Sequence, residues 1–526
     1  MPPSVALALW FALLVLLIRF DPAKEPGTSL ALWVPLIWIF IVGSRLPSQW
    51  LEGQLGTAAG AFEEGNPLDR AVFSILILLA IVILLSRSFN WGVFLTRNFF
   101  LVAFIAFALL SVLWSDFPFV AFKRWFRDLG NYLMVLVVLT DPHPIEALRT
   151  VFRRFCYLLI PLAVVLIKYF PMIGRYYSFW TGAVMYIGPT TGKNDLGALC
   201  LVSGLFFFWD TLVRWPERKE RQTKRIIVLN LVFIAMTIWV LNLANSATSR
   251  VCLLLGCLII AAVHSKLFKR RLTVLKVAIP TFFVLYLILA FGFDINADVA
   301  GAVGRDPTLT DRTLIWKTLL AIKTNPLLGT GYESFWLGPR VNTVWKQFGR
   351  LNEAHNGYLE MYLNLGLTGL FLLCGLLMAS YRKIWKDLAL NSSVASLSLA
   401  LWTVILFYNV TEAAFKFHIM WAVFLMIAIL VPVSEESRMG SAGAPENGVA
   451  TARFRNISFG IDKSPQAKLR PGDRAAMSGK IEPSRTTVDG DPRTRWYNST
   501  KNGSSEAVTA KRPSVVTPHG HQKKGR

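Results

Sequence analysis

The side chains best suited to chemistry lie at the end of a long polar stretch, Phe293 to Glu353, set between two apolar runs. Glu353-Ala354-His355-Asn356 stands at the mouth of the second run. A histidine at a helix start beside water can be neutral near pH 7 and take a proton. Glu353 can orient it if the turn brings the two together. The plainer reading of a lone histidine is a cap or a hydrogen-bonding residue. Asn356 and Glu360 lie one turn apart on one helical face, and a carboxylate inside an apolar span is costly. Upstream, Arg312 and Trp316 stand four apart in a helical pattern from Asp311 to Thr324. Thr310 serves as the N-cap, Ile315, Leu319 and Ile322 as the apolar face, and Pro326 as the stop. Such a helix can lie along a bilayer surface and present Arg312 to a charged headgroup. Alternatively, Arg312 pairs with Asp306 or Asp311 and braces the loop.

Three shorter segments add polar groups. Asn245, Ser246, Ser249 and Arg250 form a tight turn between two apolar runs, with Asn242 just inside the first. An arginine at a helix start opposes the dipole and asks for an anionic partner. Thr190, Lys193, Asn194 and Asp195 precede another run, and Trp114-Ser115-Asp116 is followed by Lys123, Arg124 and Arg127. Together they can ring one vestibule with cations. Ordinary snorkelling at the interface is the competing account for each. Asn325-Pro326-Leu327-Leu328-Gly329-Thr330-Gly331-Tyr332 reads as a turn off the loop helix. It lacks the preceding strand and the following Gly-Lys-Ser/Thr of a phosphate loop.

The elements that position these residues are apolar runs of about twenty residues, the thickness of a bilayer core. The chain has 526 residues, 54% of them hydrophobic, with charges confined to the gaps. Helices satisfy their own backbone in lipid, so the expected fold is an all-α polytopic membrane protein with about 12–13 transmembrane helices. The runs fall at 4–19, 28–43, 70–86, 98–114, 127–140, 154–170, 195–210, 226–243, 250–264, 274–293, 355–379, 393–409 and 417–433. The fifth is the weakest, because its clean apolar part is short. The first reads as a retained span rather than a cleaved signal. Trp10, Trp50, Trp91, Trp114, Trp125 and Trp180 sit near run ends, as in an interfacial belt.

Basic clusters at 149–154, 214–225, 264–271 and 382–386 mark the cytoplasmic side. Alternation then places Ser115–Phe126, Pro171–Asn194, Asn245–Ser249, the large loop 294–354 and Thr411–Lys416 outside. Residues 434–526 are rich in Ser, Pro, Gly, Arg and Lys and read as a disordered basic cytoplasmic tail after a membrane domain of residues 1–433. The net charge of +23 resides in short loops and this tail, which fits an anionic leaflet rather than nucleic acid. The five cysteines, Cys156, Cys200, Cys252, Cys257 and Cys374, all lie in apolar runs without metal or redox spacing. No cofactor and no metal are expected.

Read in order, Trp114-Ser115-Asp116 with its basic residues, Asn245-Ser246-Ala247-Thr248-Ser249-Arg250, Asp311-Arg312 with Trp316, the 325–331 turn, and His355-Asn356-Gly357-Tyr358-Leu359-Glu360 followed by Gly366-Leu367-Thr368-Gly369-Leu370 resemble the O-antigen ligase and polysaccharide polymerase superfamily. The nearest likeness is to succinoglycan-type exopolysaccharide production polymerases. The likeness covers roughly residues 70–430. It implies transfer of a glycan from a polyprenyl-diphosphate carrier to an acceptor sugar hydroxyl on the outer face of a bacterial inner membrane, without nucleotide sugar or metal and with inversion. Polymerases extend another lipid-linked repeat unit; ligases use lipid A-core. The resemblance implies catalytic roles for His355, Arg312 and Arg250, with the two arginines on the diphosphate and His355 on the acceptor hydroxyl. Lys193, Arg124, Arg127, Asn245, Ser249, Trp316, Asn356 and Glu360 are then expected to bind substrate. Lys193 departs from the arginine that would suit its place better. Implied partners are the lipid-linked oligosaccharide, the glycan acceptor, membrane lipid, and export and chain-length proteins. A lipid-linked-sugar transporter would need more intramembrane charge than Glu360 and Glu412. A non-catalytic export scaffold would leave Arg312 and His355 replaceable.

Overall fold

The computed structural model describes residues 1–21, 29–51, 65–177, 182–265, 272–292, 309–349, 351–390 and 393–429. The basic tail, Asp306 and the first part of the polar loop lie outside the described residues. The described part of each expected apolar run is mainly helical: α1 Pro3–Arg19, α2 Trp33–Val42, α3 Pro67–Leu85, α4 Trp91–Arg97, α5 Phe99–Leu110, α6 Pro118–Leu139, α7 Pro144–Tyr169, α8 Lys193–Arg214, α9 Arg221–Ala244, α10 Ala247–His264 and α11 Leu272–Gly292. The polar loop supplies α12 Leu309–Ala321 and α13 Pro339–Phe348. The chain then forms α14 Gly357–Ala389, α15 Ala395–Thr411 and α16 Ile419–Ala428. Sheet among the described residues is confined to a two-stranded antiparallel hairpin, Arg175–Tyr177 with Val184–Tyr186. The protein is an all-helical, multi-pass membrane protein. Among the described residues, six helices are long and apolar enough to cross a bilayer, or up to seven if the bent pair around residue 98 is one span.

Local chemistry sets the helix boundaries. Proline occupies the first turn of α3, α6, α7 and α13, where its missing N–H has no helical partner to lose. Asn66, Asn90 and Asn356 cap their helices by accepting backbone N–H groups. The fifth span is longer than its apolar part, because α6 begins at Pro118 and carries Lys123, Arg124 and Arg127 along its first turns. The fourth run, 98–114, begins at a bend, where α4 just before it meets α5 at 90°. The loop helix α12 starts at Leu309, so Thr310 lies inside it rather than capping it, and it ends at Ala321. Helices α7 and α8 bury most of their surface, whereas α3 and α10 expose most of theirs, as expected of a bundle whose rim faces lipid.

One break in this pattern shapes the outer end. Helix α14 is interrupted at Gly366, whose φ is +64°. The interruption leaves main-chain groups that water would satisfy in a soluble protein and that hydrocarbon cannot. The 325–331 turn satisfies them. Thr330 N donates to Leu363 O at 3.1 Å, Gly331 N to Asn364 O at 2.9 Å, Leu367 N to Pro326 O at 2.9 Å and Thr368 N to Leu327 O at 3.2 Å. Backbone must approach backbone for this. A Cβ on Gly329 would stand 2.4 Å from the Asn364 carbonyl, and one on Gly366 would stand 2.3 Å from the Leu327 carbonyl. The part of α14 after Gly366 is by itself long enough to cross about 30 Å at 1.5 Å per residue. The segment before it, with its cap at Asn356, is therefore free to belong to the outer loop.

Candidate active site

The loop holds its functional side chains with a small core of its own. Ile315, Trp316 and Leu319 from α12 pack with Phe335, Trp336, Val341, Val344, Ala354 and Leu363. Helix α12 thus turns Ile315, Trp316 and Leu319 onto the loop's own core. Trp316 Nε1 donates to Ala354 O at 2.8 Å. Glu360 is buried and accepts from Trp336 Nε1 at 2.6 Å and from Ala354 N at 2.8 Å. Asn364 Nδ2 donates to it at 3.3 Å. These bonds fix Ala354, and so set where His355 points. His355 itself has φ +48°, a conformation rare for a residue with a side chain.

Five charged groups then meet in one chain. Arg312 Nη2 donates to Glu412 Oε1 at 3.0 Å, and Arg312 Nη1 donates to Thr411 O. Glu412 Oε2 accepts from Asn194 Nδ2 at 3.0 Å and lies 3.6 Å from His355 Nδ1. His355 Nδ1 is 2.9 Å from Glu353 Oε1, but the contact is poorly aligned and Nδ1 makes no well-directed hydrogen bond. It is an electrostatic contact first. Lys416 Nζ donates to Glu353 Oε2 at 2.9 Å. Three cationic side chains thus share two carboxylates across three segments: α12, the residues before α14, and the residues between α15 and α16.

The charges alter one another. Burial disfavours the His355 imidazolium, but Glu353 and Glu412 outweigh it and raise the pKa to about 9. These two carboxylates therefore favour the protonated imidazolium of His355 at neutral pH. Burial likewise disfavours the Glu353 carboxylate, yet Lys416 and His355 hold its pKa far below the usual range. Lys416 is pushed above the ordinary lysine value, because Glu353, Glu360 and Glu333 overcome its burial.

A second group borders the first. Arg127 Nε pairs with Asp128 at 2.8 Å, and Tyr332 OH donates to the same carboxylate at 2.7 Å. Arg127 also lies over the Phe417 ring, 4.3 Å from its centroid, next to Lys416 in the chain. Arg124 donates to Glu333 O, and Glu333 has φ +51°. Arg340 pairs with Asp116. Ser115 Oγ meets Ser334 Oγ at 2.7 Å, and Trp114 Nε1 donates to Leu328 O at 3.2 Å. These bonds seat the Trp114-Ser115-Asp116 segment on the polar loop.

The expected site residues divide accordingly. Arg312 and His355 sit in the charged cluster, with Arg124 and Arg127 beside it. Arg250 is at the same end of the bundle, because Thr248 Oγ1 meets Thr411 Oγ1 at 2.8 Å. Its exposed side chain donates to Asn242 O at 3.1 Å rather than joining the cluster. Lys193 opens α8 beside Asn194, the residue that reaches Glu412. Asn245 ends α9 in the left-handed conformation, and buried Ser249 accepts from Ser246 at 3.0 Å. Asn356 accepts from the Tyr358 and Leu359 N–H groups at 3.0 Å each. The polar atoms of Ser249, Asn356 and Glu360 described here serve the fold. Arg312 pairs with Glu412; the alternative brace through Asp306 or Asp311 rests on side chains outside those described.

Glu412 and Lys416 join the cluster although sequence reasoning gave them no place in the site. Their signal was a Glu and a Lys four apart, just past an apolar run. Glu353, His355 and Glu412 have ligand atoms within 4.8 Å of one another. Arg312 and Lys416 already pair with both carboxylates, so a divalent cation there would face two fixed positive charges. The same arrangement favours an anion that takes over the cations.

Residues 231–374 match the family model described as O-antigen ligase. The chain is also similar to the exopolysaccharide production protein ExoQ of Rhizobium meliloti (strain 1021), with 26% identity over 291 residues, 53% of this chain and 63% of that protein. The chain thus spans less than two thirds of that relative's length. The two matches bear out the resemblance to the O-antigen ligase and polysaccharide polymerase superfamily and to its exopolysaccharide group. The family match contains Arg250, Arg312 and His355 and stops before Glu412 and Lys416.

Proposed function

We propose that the protein is a glycosyltransferase that moves a glycan from a polyprenyl-diphosphate carrier to an acceptor sugar hydroxyl, polymerising exopolysaccharide or O-antigen repeat units. The observation that carries this reading is the convergence of Arg312, His355 and Lys416 on Glu353 and Glu412 at the loop end of a helical bundle. A leaving diphosphate gathers charge as its bond to the sugar breaks, and preorganised cations stabilise that charge. Arg312 supplies a planar fork of donors, and His355 supplies a second positive group. Arg124, Arg127 and Arg250 line the approach. With this donor set the reaction runs without a metal, and attack opposite the leaving group inverts the anomeric centre. The site faces the periplasm of a bacterial inner membrane, and the tail is cytoplasmic. Export and chain-length proteins are the expected partners.

The likeness to an exopolysaccharide production protein favours polymerisation over ligation to lipid A-core. Gene loss tests the choice. Single lipid-linked repeat units accumulate if the protein is a polymerase, and long unattached chains accumulate if it is a ligase. Normal polymer from both Arg312→Ala and His355→Ala proteins, present at wild-type levels, would overturn catalysis in favour of a scaffold.

A further inference from the structure

Glu412 is the most connected carboxylate of the cluster, and the histidine-centred expectation leaves it without a task. It follows α15 directly and is 5% exposed. Arg312 is the more exposed partner of the pair, with a side chain 22% exposed against 6% for Glu412. Arg312 therefore covers Oε1, while Asn194 holds Oε2 and His355 stands 3.6 Å from that oxygen. A diphosphate competes for the same guanidinium and the same imidazolium. Once Arg312 turns to it, Oε1 loses its donor next to the place where the phosphate-bearing sugar carbon must sit.

We propose that Glu412 is the general base of the transfer, masked by Arg312 and His355 in the resting site and released when the donor's diphosphate takes those two cations. This rests on the donor reading above. The acceptor oxygen forms its bond to the anomeric carbon and gives its proton to Glu412 Oε1. The bond from that carbon to the phosphate oxygen breaks, and its electron pair leaves on the polyprenyl diphosphate, held by Arg312 and His355. Glu412 then returns the proton to water. The neighbours are less suited: His355 already carries its proton, and Glu353 is held by Lys416 as a weak proton acceptor. Binding of donor and exposure of the base thus become one event, and a site without donor presents no free base.

The test uses the full chain in lipid nanodiscs. Inorganic pyrophosphate binding is followed by tryptophan fluorescence, and polymer formation is measured from lipid-linked repeat units. Glu412→Gln keeps the size and the acceptor for Arg312 but not the proton affinity. Polymer formation is expected to fall about 10²–10⁴-fold, with pyrophosphate bound at least as tightly as by wild type. A rate within roughly threefold of wild type overturns the proposal, and so does parallel loss of binding and rate. Arg312→Ala separates this proposal from the donor reading, since it is expected to lose pyrophosphate binding that Glu412→Gln keeps. A wild-type protein that binds no pyrophosphate overturns the donor reading and this one with it. Where Glu412→Gln does not accumulate, Glu412→Asp keeps the charge but withdraws the oxygen. It is expected to slow polymer formation about tenfold with binding unchanged, and binding that falls in step with rate overturns the proposal.

Discussion

Replacing Glu360 with alanine removes three hydrogen bonds at once, from Trp336 Nε1, Ala354 N and Asn364 Nδ2. Trp336 and Ala354 are both buried, so their N–H groups cannot turn to water. Each orphaned donor costs about 1–3 kcal/mol, giving a loss of about 2–6 kcal/mol for the pair. Asn364 keeps its bond to the Glu360 carbonyl at 2.9 Å and adds little. Glu360→Gln retains one acceptor but turns an amine toward one of the two donors, for a loss of about 1–3 kcal/mol. The assay is thermal unfolding of detergent-purified protein, followed by tryptophan fluorescence, beside polymer formation at low temperature. Midpoints are expected to fall in the order wild type, Gln, Ala. The Gln protein should recover polymer formation on cooling. An Ala protein with the wild-type midpoint that makes no polymer would refute the brace and make Glu360 a substrate contact.

The pKa of His355, raised to about 9, sets a sign as well as a place. Its charge, and the stability it contributes, are fully present below the ordinary histidine value of about 6.5 and are lost as pH rises through about 9. The pyrophosphate affinity of wild type is expected to exceed that of His355→Gln at pH 7, with the difference vanishing above about 9; a difference that vanishes near 6.5 would show an ordinary imidazole. Gly366→Ala is expected to lose at least about 1–2 kcal/mol from its left-handed backbone alone. The new Cβ, 2.3 Å from the Leu327 carbonyl, adds to that loss by displacing the 325–331 turn, whereas Gly92→Ala, 3.5 Å from the Asn90 side chain, should leave the unfolding midpoint unchanged.

Element type was legible in the sequence because lipid permits few backbone solutions, so every apolar run had to be helical. Lengths were less legible. Charged first turns such as Lys123–Arg127 look like loop until the Glu333 carbonyl is seen to reach Arg124, and Tyr332 to reach Asp128 beside Arg127, from more than 200 residues away. Arg312 and His355 were legible as chemical groups, since the basic-loop alternation expects few cations in the loop that carries them. Their counter-ions were not, because pairing of Arg312 with Glu412 links residues 100 apart. The broken helix was hidden for a related reason. Gly366 reads as a small residue in an apolar run, and only the turn at 325–331 shows what its missing Cβ is for. Burial of Arg153 against Asp21, at 2.8 Å, was similarly invisible in a segment read as a basic cytoplasmic mark.

These features act on one another. Each non-glycine residue in the left-handed region, His355 and Glu333 among them, carries strain on the order of 1–3 kcal/mol. Such strain persists only where the surroundings over-determine the backbone. Here they do: Ala354 is held by Trp316 through its carbonyl and by Glu360 through its N–H, and Tyr332 N donates to Ser111 Oγ at 2.9 Å, beside Glu333. The helix break extends the same frame, because Leu363 and Asn364 bind the 325–331 turn through their carbonyls. A site that holds cations near one another needs such a frame, since mutual repulsion would otherwise spread them. Glu353 and Glu412 keep them together, and on the proposed reading the frame holds the backbone in place when a diphosphate displaces those carboxylates. A rigid backbone with exchangeable counter-ions is a physical arrangement that stabilises developing negative charge without reorganising at the moment it appears.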